Sequence, residues 1–236
     1  MNNRLALIAG CLVAFGCAAA FSQDYEPFPG MSADQRTLSM QRRVDELYEA
    51  GNYERALFIY EHELAPRGDK YAQYMVGYMY LNAQGVAQDL PKALAWYRLS
   101  AERGYELLVR VRDQLAATAT PGEIQASNGI FVELLQDIGD TALIMKLIRD
   151  DMHILESRTG TRIPSSSLSS PVRIYRPDGI PQDVNYYGNV RARLEARLNW
   201  LETKVEVNDI ALESGNDDVR MFEEQVRAEL AALGVP

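Results

Sequence analysis

Apolar residues return every three or four positions through most of this chain, the period of one helix face, and the intervals are punctuated by helix start and stop signals. The first such segment opens at Ser32, with Gln35 three residues later as a capping-box partner, and runs to Ala50, with Gly51 as its stop. A second begins near Tyr53, sets Ala56, Ile59 and Tyr60 on one face and closes at Pro66-Arg67-Gly68. Asp69 caps a third that carries Ala72, Val76, Met79 and Tyr80, and a loop from Ala83 to Val86 turns the chain. Asp89 caps a fourth, in which Pro91 falls in the first turn, where its missing N–H costs nothing. That helix carries Ala93, Trp96, Tyr97 and Ala101 and stops at Gly104. Tyr105 to Ala117 reads as a fifth, and Thr120-Pro121-Gly122-Glu123 is a strong start for a sixth. Asp140 caps a seventh through about Ser157, with Leu143, Leu147 and Ile154 on one stripe.

The pattern then breaks. Ser165, Ser166, Ser167, Ser169 and Ser170, among Pro164, Pro171, Pro177 and Pro181, mark 158–185 as a linker or irregular strap, with Val172 to Tyr175 as a short extended piece. Periodicity resumes from Asn185 to about Glu213, where Leu194 and Leu201, and Leu198, Val205 and Leu212, fall seven apart. Ser214-Gly215-Asn216 interrupts it, and a last helix carries Val219, Phe222, Val226, Leu230 and Leu233. Residues 186–236 are therefore expected to form an antiparallel helical hairpin, packed on its own protein or used for self-association.

The helices repeat. Ala56 and Tyr60 recur as Ala93 and Tyr97, and Arg67-Gly68 recurs as Arg103-Gly104. Helix pairs of this length bury one face alone and stack to bury the rest. Close stacking needs small residues at the crossings, here Ala72, Gly77, Ala93 and Ala101, and bulky ones in the grooves, here Tyr80, Trp96 and Tyr97. Gly85 serves the turn and Gly104 the stop, where a positive φ suits glycine.

From Ala72 to Gly104 the residues Ala72, Gly77, Tyr80, Gly85, Val86, Asp89, Lys92, Ala93, Trp96, Tyr97, Ala101, Glu102 and Gly104 follow one pattern. It resembles the Sel-one-like repeat, a branch of the tetratricopeptide-like α-solenoids. Val76, Ala83 and Ser100 depart from that pattern, which has Leu, Gly and Ala there; Ala83 leaves the loop less freedom. The unit before it, with Leu47-Tyr48, Gly51-Asn52-Tyr53 and Ala56 to Tyr60, resembles a tetratricopeptide unit more loosely. The expected fold is all-α: a short tetratricopeptide or Sel-one-like α-α solenoid over 32–157, then the Ser/Pro-rich linker and the C-terminal hairpin. The resemblance implies protein–protein interaction and assembly of complexes. Exported bacterial members are adaptors, and some relatives are linked to cell-wall or penicillin-type ligands.

The start of the chain reads differently. Arg4 precedes an apolar run from Leu5 to Phe21, and Ala20-Phe21-Ser22 offers small residues for a cut near Ser22. That run is short of the about 20 residues a spanning helix needs, so 1–22 is expected to be a cleavable signal peptide. Residues 23–31, with Pro27, Pro29 and Gly30, form an extended lead-in. A lipid anchor at Cys11 or Cys17 is the weaker reading, because neither site has both the right flank and enough apolar chain before it. The expected location is a bacterial periplasm. Both cysteines lie in the leader, so the remainder carries no disulfide, thiolate nucleophile or cysteine metal site. Formal net charge is −9, which argues against nucleic acid as a partner, since that wants a basic face.

Catalysis needs a constellation, and the sequence offers none. His62 lies between Glu61 and Glu63, and His153 follows Asp150 and Asp151 without a second histidine, so neither suggests a metal site. No Ser-x-x-Lys, Gly-x-Ser-x-Gly or phosphate-loop pattern occurs. Arg191, Arg193 and Arg197 beside Glu195 read as a solvated face. No cofactor is expected. Tyr71, Tyr74 and Tyr78 have no required place in the repeat's packing and are the candidate partner-binding surface. The expected function is non-enzymatic capture of an envelope protein or peptide on the repeat. The alternatives are a peptidoglycan- or β-lactam-binding enzyme or regulator, and an oligomeric scaffold.

Overall fold

The computed structural model describes residues 35–156, 174–175, 181–182 and 186–204, with the single residues 224 and 228. The expected leader and lead-in, the expected helix start at Ser32, most of the Ser/Pro-rich stretch and the expected second arm of the hairpin lie outside the described residues.

The fold is an all-α, solenoid-like array. Its helices are α1 (Gln35–Glu49), α2 (Tyr53–Ile59), α3 (Lys70–Leu81), α4 (Leu90–Ser100), α5 (Glu106–Thr118), α6 (Pro121–Ile138), α7 (Asp140–Glu156) and α8 (Tyr186–Lys204). A two-residue antiparallel ladder, β1 (Ile174–Tyr175) with β2 (Pro181–Gln182), lies between α7 and α8. None of the described helices is long and apolar enough to cross a membrane.

The ends of these helices follow from local chemistry. At the end of α1, Asn52 N–H bonds to Leu47 C=O and Gly51 N–H to Tyr48 C=O, a Schellman closure with Gly51 at φ 76°. Asp69 accepts from Ala72 N–H at 3.0 Å and Asp89 from Lys92 N–H at 2.9 Å, so each satisfies an orphan donor of its helix. Thr120 and Glu123 form a reciprocal capping box at α6. Two features were not foreseen. α2 continues into a π-helical turn at Tyr60–Leu64 and a 3-10 turn at Ala65–Arg67 before Gly68. And Gly139 C=O, not Asp140, accepts the first α7 bond, from Leu143 N–H.

One apolar core runs from Val44 through to Leu201. α4 lies at its centre, packed on α3, α5 and α6; α7 follows on α6, and α8 on α7. α7 therefore buries two faces. Beyond its first turn, where Asp140 and Thr141 are buried, its covered residues are Ile144, Met145, Ile148 and Asp151, while the expected stripe of Leu143, Leu147 and Ile154 is only half-buried.

Two loop residues position the turn between α3 and α4. Gly85 sits at φ 71°, and a Cβ there would come within 2.5 Å of the Tyr53 and Glu54 backbone, so the loop presses on the start of α2. Ala83 takes φ 54° in the same loop. An L-residue in that region costs about 1–2 kcal/mol, which is the physical content of its departure from glycine.

Candidate functional site

α3 is enclosed on almost every side. From Lys70 to Leu81 all of its residues are buried except Tyr71 and Tyr78. The enclosure depends on small residues where α3 meets α4. A Cβ on Gly77 would lie 2.7 Å from the Tyr97 ring, so only glycine admits that ring. The Ala93 carbonyl lies at the same contact, and Ala72, Ala93, Trp96 and Ala101 are all buried in the core. Tyr80 is also buried; its hydroxyl donates to Glu61 at 3.2 Å, and Lys92 lies over its ring at 5.1 Å. Burial, with Glu61 alongside, pushes the Tyr80 phenol up to about 12.

The structure separates the three tyrosines that the sequence grouped. Tyr74 is a core residue, 4% exposed and stacked on Tyr97 at 5.5 Å. It has a packing role after all, because it stacks on the Tyr97 ring that the missing side chain of Gly77 admits. Tyr71 and Tyr78 flank it on the same helix, with ring centroids 6.4 and 6.3 Å from Tyr74, and both reach solvent. Buried Tyr60 meets Tyr71 edge-on, and its hydroxyl donates to Asp45 of α1 at 3.1 Å. Tyr48 of α1 lies near Tyr78, donates to Gln84 at 2.9 Å and meets Tyr53 edge-on. Burial pushes Tyr48 up to about 12 and lifts Tyr60 and Tyr97 well above the ordinary phenol value. Tyr48, Tyr60 and Tyr97 therefore keep their hydroxyl protons throughout the physiological range.

Residues 70–105 match the family model of the Sel1 repeat. The chain carries a Sel1 repeat. No curated protein and no solved structure gives a significant match. Sel1 repeats commonly mediate protein–protein interaction, and proteins that carry them are typically non-enzymatic adaptors.

The Sel1 repeat also holds a buried ionic knot that sequence reasoning missed. Lys70 Nζ lies 2.8 Å from Glu102 and 2.9 Å from Asp140, and it donates to the Leu99 carbonyl and to Gln73 as well. Arg103 donates to Asp140 at 2.6 Å and to the Gly68 carbonyl at 3.2 Å. Asp140 N–H bonds back to the Glu102 carboxylate at 3.0 Å. Two cations and two anions thus leave water together, with most of their hydrogen-bonding capacity satisfied. Burial raises Glu102 against the pull of Lys70; at Asp140 burial opposes ionisation too, but Lys70 and Arg103 overcome it and hold the carboxyl below its ordinary value. The arrangement joins the start of α3, the end of α4 and the start of α7. It is a structural joint, since no member stands free to meet a substrate. Its only sequence signal was the recurrence of Arg67-Gly68 as Arg103-Gly104, because Lys70 by itself reads as a surface residue.

A second joint fixes α8. Asp151 is 1% exposed and accepts from both Arg193 and Arg197, the latter also donating to the Leu147 carbonyl at 3.0 Å. The expected solvated arginine face is thereby divided: Arg191 and Glu195 are exposed, whereas Arg193 and Arg197 clamp α8 onto α7. His62 and His153 are both exposed, His62 against the exposed Phe58 ring at 4.9 Å. Among the described residues no group of His, Cys, Asp or Glu is arranged to hold a metal ion.

Proposed function

We propose that the chain is an exported, non-enzymatic adaptor that captures an envelope protein or peptide on the Tyr71–Tyr78 face of α3. The observation that carries this reading is the pattern of exposure on α3. A helix otherwise buried on all sides opens to solvent through two tyrosines alone, set two turns apart on one face. Tyrosine supplies a large, rigid contact with a polar end at small entropic cost, and such rings carry much of the energy at protein interfaces. The rigid Sel1 packing beneath holds these rings in place, so a partner would not have to order them. Export follows the reading of residues 1–22 as a cleaved leader and places the adaptor in a periplasm.

The test is capture from an envelope extract by the wild-type protein and by Tyr71→Ala/Tyr78→Ala. A reproducible partner lost in the variant, with the fold intact by circular dichroism, supports the reading. Equal capture by both moves the surface elsewhere. Turnover of labelled muropeptides or of a chromogenic β-lactam by the purified protein would overturn the non-enzymatic assignment.

A further inference from the structure

We infer that the outer face of α1 receives a second copy of this chain, docked antiparallel about a two-fold axis. The inference is independent of the adaptor reading. It starts from the order of charges along the helix. Arg36, Arg42 and Arg43 are exposed, and so are Glu46 and Glu49, which follow them. Basic residues thus precede acidic ones, with no acidic residue in the first turn and no basic residue in the last. A lone helix favours the reverse order, because its N-terminus is the positive end of its dipole. Nor do the charges serve one another within α1. Arg42 and Arg43 stand four and three residues before Glu46, but a cation leading a carboxylate is the weaker orientation. Among the described residues none of the five enters an ion pair. Arg42 donates instead to the Leu38 carbonyl of its own helix, at 3.4 Å.

Such an order is self-complementary. A second α1 turned end for end sets the carboxylates of each copy beside Arg42 and Arg43 of the other, and every pair occurs twice, as a two-fold contact requires. The opposed helix dipoles add to the match. A uniformly acidic or basic partner would satisfy one half of the face and be repelled by the other. The place of α1 in the fold points the same way. Its described neighbours all lie on one side, so it ends the described stack, and a stack continues by laying a further helix on its open face. Leu38 lies on that face at helical spacing from Arg42 and Glu46, and is 39% exposed. It offers the apolar contact that the charges flank. One pair of 15-residue helices stands at the small end of specific interfaces, so the dimer is expected to be reversible, with a Kd on the order of 10 µM.

The experiment is sedimentation velocity on the purified full chain from about 1 to about 100 µM. The wild type should pass from monomer to dimer across that range, and about 0.5 M salt should weaken the dimer on the order of tenfold. Arg42→Glu/Arg43→Glu and Glu46→Arg/Glu49→Arg should each be monomeric, since like charges then meet across the axis. Mixed in equal amounts, the two variants should form a heterodimer. The chain carrying all four reversals is self-complementary again and should regain the homodimer. A wild type that stays monomeric throughout overturns the inference. So does a dimer that neither reversal disturbs, which would place self-association on another surface such as the C-terminal segment. Should a reversed chain fail to fold by circular dichroism, a photo-crosslinker at the exposed position 39 decides. Crosslinks from α1 of one copy to α1 of the other support the inference; crosslinks to other segments alone, or none between copies, overturn it.

Discussion

Two helices that open successive hairpins, α1 and α3, are built on opposite terms. α3 keeps only Tyr71 and Tyr78 at the surface, whereas α1 fully buries only Val44. α1 is held instead by a stripe of side-chain hydrogen bonds. Thr37 accepts from Arg67, Gln41 donates to Asp69, Asp45 accepts from Tyr60 and Tyr48 donates to Gln84. These residues fall on one face at helical spacing. The difference reflects position in a stack: α3 has neighbours on both sides, while the described neighbours of α1 all lie on one. Similar hairpins thus need not be equally stable. The Sel1 unit is set by packing and α1 by polar exchange, in which each bond replaces one to water and contributes about 0.5–1.5 kcal/mol.

The comparison can be broken most strongly from the α3 side. Lys70→Met leaves Glu102 and Asp140 buried with only Arg103 to compensate them. Losing one partner of a buried ion network costs about 3–5 kcal/mol, and denaturant unfolding should show the free energy of unfolding lowered by that amount; an unchanged midpoint and slope would mean the knot contributes nothing. Next comes Gly77→Ala, whose Cβ would lie 2.7 Å from the Tyr97 ring. Overpacking of this kind costs about 1–3 kcal/mol, read by thermal unfolding together with the near-ultraviolet dichroism of the tyrosine stack. Ala83→Gly acts in the other direction, because it relieves the φ of 54° and should raise stability by about 1 kcal/mol. A loss on this change would show that the loop conformation is not strained.

On the α1 side the effects are smaller and more local. Gln41→Ala should cost at most about 1 kcal/mol globally, yet hydrogen exchange of α1 amides should accelerate while α3 amides stay protected. Uniform acceleration would show that the two helices open as one unit. The smallest effect concerns Asp45, whose carboxyl is raised chiefly by burial. A raised carboxyl binds its proton more tightly in the folded chain, so its contribution is greatest in acid and is lost as pH rises through the folded value. Asp45→Asn keeps an acceptor for Tyr60 and removes the charge. It should therefore stabilise slightly at neutral pH, with the gain vanishing below the ordinary carboxylate range. A gain that persists in acid would point to a cause other than charge.

Features governed by near neighbours in the chain were legible beforehand. Asp69, Asp89 and Thr120 cap the helices they precede because a cap reaches only two or three residues ahead. The small and bulky residues of the Sel1 unit point to its crossings for a similar reason, since they follow one period. What escaped was set by distant partners. Asp140 looked like a cap and instead meets Lys70 and Arg103; Arg193 and Arg197 looked solvated and instead close on Asp151. Tyr74 looked free because nothing in the sequence says that Gly77 opens a space for Tyr97 beside it. The candidate surface was thus legible to the helix and the residue type, but which tyrosines face water depended on α4.

The ionic knot also sets an order of events in time. Its members stand at residues 70, 102, 103 and 140. As the chain emerges from its N-terminus, the first two hairpins are complete well before residue 140 arrives. Until then Lys70 and Arg103 outnumber Glu102, and closing the site would strand a cation away from water. Lys70 and Arg103 therefore gain their full set of partners only when the start of α7 is available, so completion of the α3–α4 unit depends on a residue that follows it by more than thirty positions.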